Sequence, residues 1–124
     1  MAGEPLAVSV RDGGRVLRAV VVREGEDLVV SVGGGDRPHV GCVVLAVPRG
    51  GEGGSATVSV LALPRHRDEA IARPMAETLA ARLGAVTVVS AGVHEEGASA
   101  RAIAVWVTLG LELTGAILER LGDS

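Results

Sequence analysis

The chain has 124 residues, enough for one hydrophobic core, and its 12 basic residues, all Arg, stand against 15 acidic ones for a net charge of −3. Those arginines are scattered, which excludes the electrostatic footprint of a nucleic-acid binder. Apolar residues make up 48%, mostly Val, Ala and Leu, with one Trp and neither Phe nor Tyr. Lys, Asn and Gln are absent. That bias is genomic in character, so no single Arg is marked out as an anion clamp by its identity alone.

Met1 to Pro5 has neither the basic start nor the apolar stretch of a secretion signal. The lone Cys42 cannot form an internal disulfide. The most apolar segment, Ala102 to Leu118, is interrupted by Gly110, Glu112 and Gly115 and falls short of the roughly 20 apolar residues of a membrane span. A cytoplasmic protein of one domain, residues 1–124, is expected, with no nucleic acid and no membrane as partner.

The first half reads as strands. Leu6–Val10 is followed by the turn cluster Asp12-Gly13-Gly14, Val16–Val22 by Gly25-Glu26-Asp27, and Leu28–Val32 returns. Cys42–Val47 and Ala56–Leu63 form the next pair across a flexible Gly-rich connector, residues 48–55. Such short connections predict an antiparallel meander. In the second half Met75, Leu79 and Leu83 recur at helical spacing. Pro74 suits a first helical position, so the main helix is predicted over Pro74–Leu83, ended by Gly84, with Arg67–Ala72 a looser turn or a kinked extension. Ala85–Val89 reads as a strand and Leu111–Leu121 as a final helix, while Ala102–Val107 fits either state. The whole predicts an α+β fold, an antiparallel sheet of about six strands with two or three helices on one face. The valine-rich remaining face points to a homodimer.

The three histidines, His39, His66 and His94, each lie where an apolar run stops, the places where a compact domain presents side chains to a ligand. Converging, they make a three-histidine metal site with an open position. Apart, they are ordinary surface or capping residues. Gly33-Gly34-Gly35 ends a strand and could cradle an anion on its backbone, or be a plain loop; it is neither a Walker loop nor a dinucleotide fingerprint. Arg65, Arg67 and Asp68 flank His66 as a phosphate-binding group or as a helix-start charge cluster. Cys42 opens an apolar strand and reads as a buried, inert thiol. Trp106 reads as core before it reads as a stacking surface, and Glu95 and Glu96 as solvated acids.

Taken in order, Gly-Gly-x-x-Pro-His-x-Gly (residues 34–41), His66-Arg67-Asp68 with Ile71 and Met75-Ala76, Ala91-Gly92-Val93-His94, and Ile103 resemble the LpdD-like prenylated-flavin chaperones. These are accessory proteins of UbiD-type decarboxylases such as gallate decarboxylase. The likeness spans Leu28 to Ile103. Cys42 stands where an acidic residue is expected, Pro74 interrupts the helix start, and the segment with Trp106 matches poorly. The resemblance implies a non-catalytic carrier for prenylated FMN that supports loading of a UbiD-type decarboxylase and works beside a flavin prenyltransferase. It implies a cofactor site on Gly33, Gly34, Gly35, Arg37, Pro38, His39, Gly41, Arg65, His66, Arg67, Asp68, Gly92 and His94. A divalent metal held by His39, His66 and His94 would belong to that site. The competing readings are a small three-histidine metalloenzyme and a structural subunit of a decarboxylase complex.

Overall fold

The computed structural model describes residues 3–51, 54–64 and 67–122. In chain order the elements are β1 (Leu6–Asp12), β2 (Arg15–Glu24), β3 (Asp27–Gly35), β4 (Cys42–Pro48), β5 (Ala56–Ala62), α1 (Glu69–Leu83), β6 (Thr87–His94) and α2 (Ala100–Arg120). The α+β class, the six strands and the helices on one face are as expected. The turns that join β1 to β2 and β2 to β3 place Gly13 and Gly25 at φ 60° and 63°, the left-handed region that Gly enters without a Cβ penalty.

The sheet order is β1-β2-β3-β6-β4-β5, so it is not the predicted meander. β6 inserts between β3 and β4 and runs parallel to β3, while all other pairs are antiparallel. A parallel neighbour requires a crossover, and α1 provides it between β5 and β6. The consequence is local and important. The chain from β3 to β4, residues 36–41, must pass over the end of β6 as a strap. It is fastened there by backbone hydrogen bonds from Asp36 to the His94 carbonyl (2.8 Å) and from Gly41 to that of Ala91 (2.9 Å).

Both helices lie on the face formed by Leu17, Val30, Val44 and Val89, with α1 over β4, β5 and β6 and α2 over β1 and β2. Helix α1 starts at Glu69, five residues before the expected position, and keeps Pro74 in its interior. Burial of Ile71 and Ala72 against the core holds that first turn, and the Asp68 carbonyl accepts from their backbone N–H groups at 3.0 and 2.9 Å. Gly84 closes the helix with φ 62°.

Helix α2 runs unbroken over 21 residues, so the ambiguous Ala102–Val107 segment is helical. Ser99 caps it, its side chain accepting from the Ala102 N–H at 3.1 Å. By length and composition α2 could cross a membrane. Its row Ala102, Trp106, Leu109, Leu113 and Ile117 is nevertheless buried, the pattern of a core helix packed on a sheet. It meets α1 at Gly110, where an added methyl would stand 3.2 Å from Ile71 Cγ2.

Candidate functional site

A cleft of about 440 Å³ opens where α1 and α2 begin and β6 ends, a size typical of small-molecule sites. Ile71, Val93, Ile103, Trp106 and Val107 form its apolar wall, and Arg37, Arg67, Asp68 and His94 its polar part, with Pro64 beside them. The position follows from the topology: the carboxyl ends of parallel β3 and β6, beside a helix that starts there, are where open α/β sheets leave a crevice.

The wall is anchored by a group that sequence reasoning did not assemble. Glu95, the residue after β6, accepts two hydrogen bonds from Arg15, at 2.7 and 3.1 Å, and one from the Trp106 indole N–H at 3.0 Å. Arg15 lies far away in the chain, at the start of β2. Its hydrogen bonds first, and that of Trp106 next, hold the Glu95 carboxyl below the ordinary carboxylate range. Glu95 is therefore an ionised post that fixes the indole, not a solvated acid. Trp106 is core, as expected, and also lines the cleft. The missed signal was the pairing of a lone Trp with an acid that directly follows the histidine motif.

Asp68 sits at the start of α1 with 4% of its surface exposed. One carboxylate oxygen accepts from the Val93 backbone N–H at 2.9 Å, tying helix to strand. The other faces His39 Nε2 at 3.6 Å. On the far side of that ring Nδ1 lies 3.0 Å from the Arg37 carbonyl, which can only accept, so Nδ1 carries a proton. His39 thus braces the strap from residue 37 to the start of α1. Gly41 lies against this pair, and a methyl on it would run into the Asp68 carboxylate.

His94 closes β6 at the cleft mouth. Its Nε2 lies 2.9 Å from a Glu96 carboxylate oxygen and 3.3 Å from Arg37 Nη2. One nitrogen cannot donate to Glu96 and accept from Arg37 at once, so the neutral ring chooses one of the two partners. Arg37 is exposed and lines the cleft with Arg67.

The glycines act by close packing. Gly33, Gly34 and Gly35 are not a free loop: they pair in the ladder with Gly92, Val93 and His94 of β6. Their backbone is engaged in the sheet rather than in either the plain loop or the open anion cradle weighed for them. A methyl at Gly34 would come within 2.8 Å of the Val16 carbonyl oxygen and 3.0 Å of the Trp106 ring. A methyl on Gly35, itself at φ 80°, would collide with the His94 backbone. One on Gly33 would stand 3.1 Å from Pro38 Cβ, and one on Gly92 would run into the His39 carbonyl.

Of the predicted site residues, then, Arg37, Arg67, Asp68 and His94 line the cleft. His39 and Gly41 belong to the strap beside it and Gly92 lies beneath that strap on β6, while Gly33 and Pro38 face the opposite side of the sheet in a separate hollow of about 270 Å³. Arg65 and His66 lie outside the described residues. Among the described residues no group of three or more His, Cys, Asp or Glu is placed to hold a metal ion. His39 and His94 turn instead to Asp68 and to Glu96. Cys42 is buried; burial first, then the Glu69 and Asp68 carboxylates, push its thiol pKa up, which fits the inert thiol expected.

The sequence profile of the prenylated flavin chaperone LpdD-like domain matches residues 11–122. That match extends past the Leu28–Ile103 stretch carried by the motifs and takes in all of α2 with Trp106. No curated protein matches the chain. Among solved structures, a chain in the crystal structure of a chaperone complex for yeast 20S proteasome assembly is similar at a TM-score of 0.58 and 15% identity, over 95% of this chain and 94% of that one. At that identity the likeness is one of fold.

Proposed function

Because the chain belongs to the prenylated flavin chaperone LpdD-like family, we propose that it holds prenylated FMN in the cleft between α1, α2 and the end of β6 and supports loading of a UbiD-type decarboxylase in the cytoplasm. The observation that carries this reading is the two-part lining of the cleft: an apolar wall that includes Trp106, fixed by Glu95, and the two exposed arginines Arg37 and Arg67. A flavin mononucleotide has the same two parts, an aromatic ring and a phosphate of roughly −1.5 to −2 charge.

The residues fit each part. Trp106 offers the isoalloxazine and prenyl group an apolar face whose orientation Glu95 sets. The guanidinium groups of Arg37 and Arg67 suit the phosphate, since each can give two parallel donors. Arg37 can turn from His94 to the phosphate while His94 donates to Glu96, so the switch leaves no buried group unpaired. The bound cofactor supplies electron-accepting ring chemistry, and that chemistry is used by the partner decarboxylase. This chain's residues bind the ring, orient it and keep water from one side of it. A flavin prenyltransferase is the upstream source.

The sole Trp gives a direct test, because flavin bound beside it quenches its fluorescence. FMN titration should quench wild-type protein. Arg37→Ala and Arg67→Ala should each weaken FMN binding by about 1.5–3 kcal/mol, the range for hydrogen bonds to charged groups. Riboflavin, which lacks the phosphate, should bind both variants as it binds wild type. In cells, coexpression with the prenyltransferase should yield coloured protein and raise the cofactor occupancy of a coexpressed UbiD-type decarboxylase. Colourless protein together with unchanged decarboxylase occupancy would remove the assignment.

A further inference from the structure

Among the described residues no helix or strand covers the sheet face turned away from the helices. Its side chains alternate with the buried core positions along every inner strand: Val20 and Val22 on β2, Val29 on β3, Val88 on β6, Leu45 and Val47 on β4. Register places them side by side. Val22 pairs with Val29, Val29 with Val88, and Val88 with Leu45, so an apolar row crosses four adjacent strands. Val29, Leu45 and Val47 are 40–41% exposed. An antiparallel face that meets water ordinarily alternates to polar side chains. This one does so only at its margins and at Ser31 and Ser90.

Along the strand direction, the charges on β1, β2 and β3 at the two ends of this face have opposite sign. Toward the β1–β2 turn the same face carries Arg18 and Arg11; toward the β2–β3 turn it carries Glu24 and Asp27. We propose that this face is the interface of a homodimer, two copies stacked sheet on sheet about a two-fold axis that lies across the strands. Such an axis reverses strand direction in the partner. Each copy's Arg18 end then lies over the other's Glu24 end, and Val20 and Val22 of one copy meet Val22 and Val20 of the other between them. Any other in-plane orientation of the same two faces loses this pairing: with the strands running the same way, Arg18 would lie over the same end of the partner's sheet, away from its Glu24. The self-complementary charge selects a second copy as the occupant over an unrelated protein. Face-to-face sheets pack about 10 Å apart with interleaved side chains, which suits the small, branched residues present here. The cleft lies on the opposite, helical side and stays open in the pair.

Sedimentation and light scattering on the purified full chain decide the matter. Wild type should be a dimer at micromolar concentration. Val29→Glu and, separately, Leu45→Arg put charge into the row and should give monomers, with far-UV circular dichroism unchanged. Arg18→Glu sets acid against acid at both ends and should raise the dimer dissociation constant at least tenfold. Arg18→Glu with Glu24→Arg in one chain should restore it, a rescue that general surface disruption would not give. A wild-type monomer at tens of micromolar would overturn the proposal. So would a dimer that survives both row variants, a double variant no better than Arg18→Glu, or a face that is covered only when a decarboxylase is added.

Discussion

On the inner wall of the cleft Trp106 and Ile71 are each 5% exposed and pack against Gly34 and Gly110 with no space to spare, whereas at its mouth Arg37 and Arg67 are exposed and His94 is half-buried. The wall is part of the folding core, and the same atoms that shape it hold α2 to β2 and β3. The mouth is polar, screened by solvent and joined to the rest by single hydrogen bonds. Two consequences follow from that division. Altering the wall changes the stability of the fold, while altering the mouth changes what enters the cleft. A site that must take up and release a charged ligand gains from having its charge recognition outside the core, where an arginine can change partners cheaply.

The strongest way to break this contrast is Trp106→Ala. Removing a buried indole leaves a cavity and should cost about 3–5 kcal/mol of stability, read as a shift in the urea midpoint by circular dichroism. A variant as stable as wild type would show that the wall is not core.

A smaller effect is expected from Gly92→Ala, at the seam between wall and mouth. The new methyl collides with the His39 carbonyl of the strap. Backbone cannot yield as a flexible side chain does, so the strap must lift from β6, and overpacking of this kind costs about 1–3 kcal/mol. Amide exchange should accelerate selectively at Asp36, His39 and Gly41, the strap donors bonded to β6. Uniform loss of protection across the sheet would instead mean that the strap is no separate unit.

The finest distinction is electrostatic. In the unfolded chain Glu95 titrates near its free value, about 4.3. In the folded chain the hydrogen bonds from Arg15 and Trp106 keep it lower. Between those two values the unfolded state binds more protons, so stability falls as pH falls and is complete above the free value. Comparing urea midpoints from pH 6 to pH 3, wild type should lose more stability than Glu95→Gln, whose amide does not titrate. Parallel losses would show that the Arg15–Glu95–Trp106 group does not couple the wall to pH.

Much of the fold was legible because it depends on local pattern. The alternation of Val16–Val22 and Leu28–Val32, the Asp-Gly and Gly-Glu turns, and the period of Met75, Leu79 and Leu83 fix strands, hairpins and a helix from neighbours in sequence. The histidine motifs likewise marked the ends of β6 and the approach to α1 as the region of interest, and Arg37, Arg67, Asp68 and His94 do line its cleft. What the sequence by itself determined is this set of elements, the apolar faces they must bury, and the family to which the motif order belongs.

Tertiary structure decided the rest. No local signal says that β6 slips between β3 and β4, because that order depends on where the α1 crossover returns and on which strand edge is open to receive it. From that one choice follow the strap over Gly92, the ladder role of Gly33–Gly35, and the absence of a free glycine cradle. The start of α1 before Pro74 and the helical state of Ala102–Val107 were set by burial of Ile71 and Trp106, which outweighs the local preferences of proline and β-branched residues. Arg15 and Glu95 are 80 residues apart, and only the sheet order, which sets the start of β2 one strand away from the end of β6 and under α2, brings them to one indole. Contacts of that kind depend on the fold as a whole, so sequence order holds the parts of the site and three-dimensional packing assigns their roles.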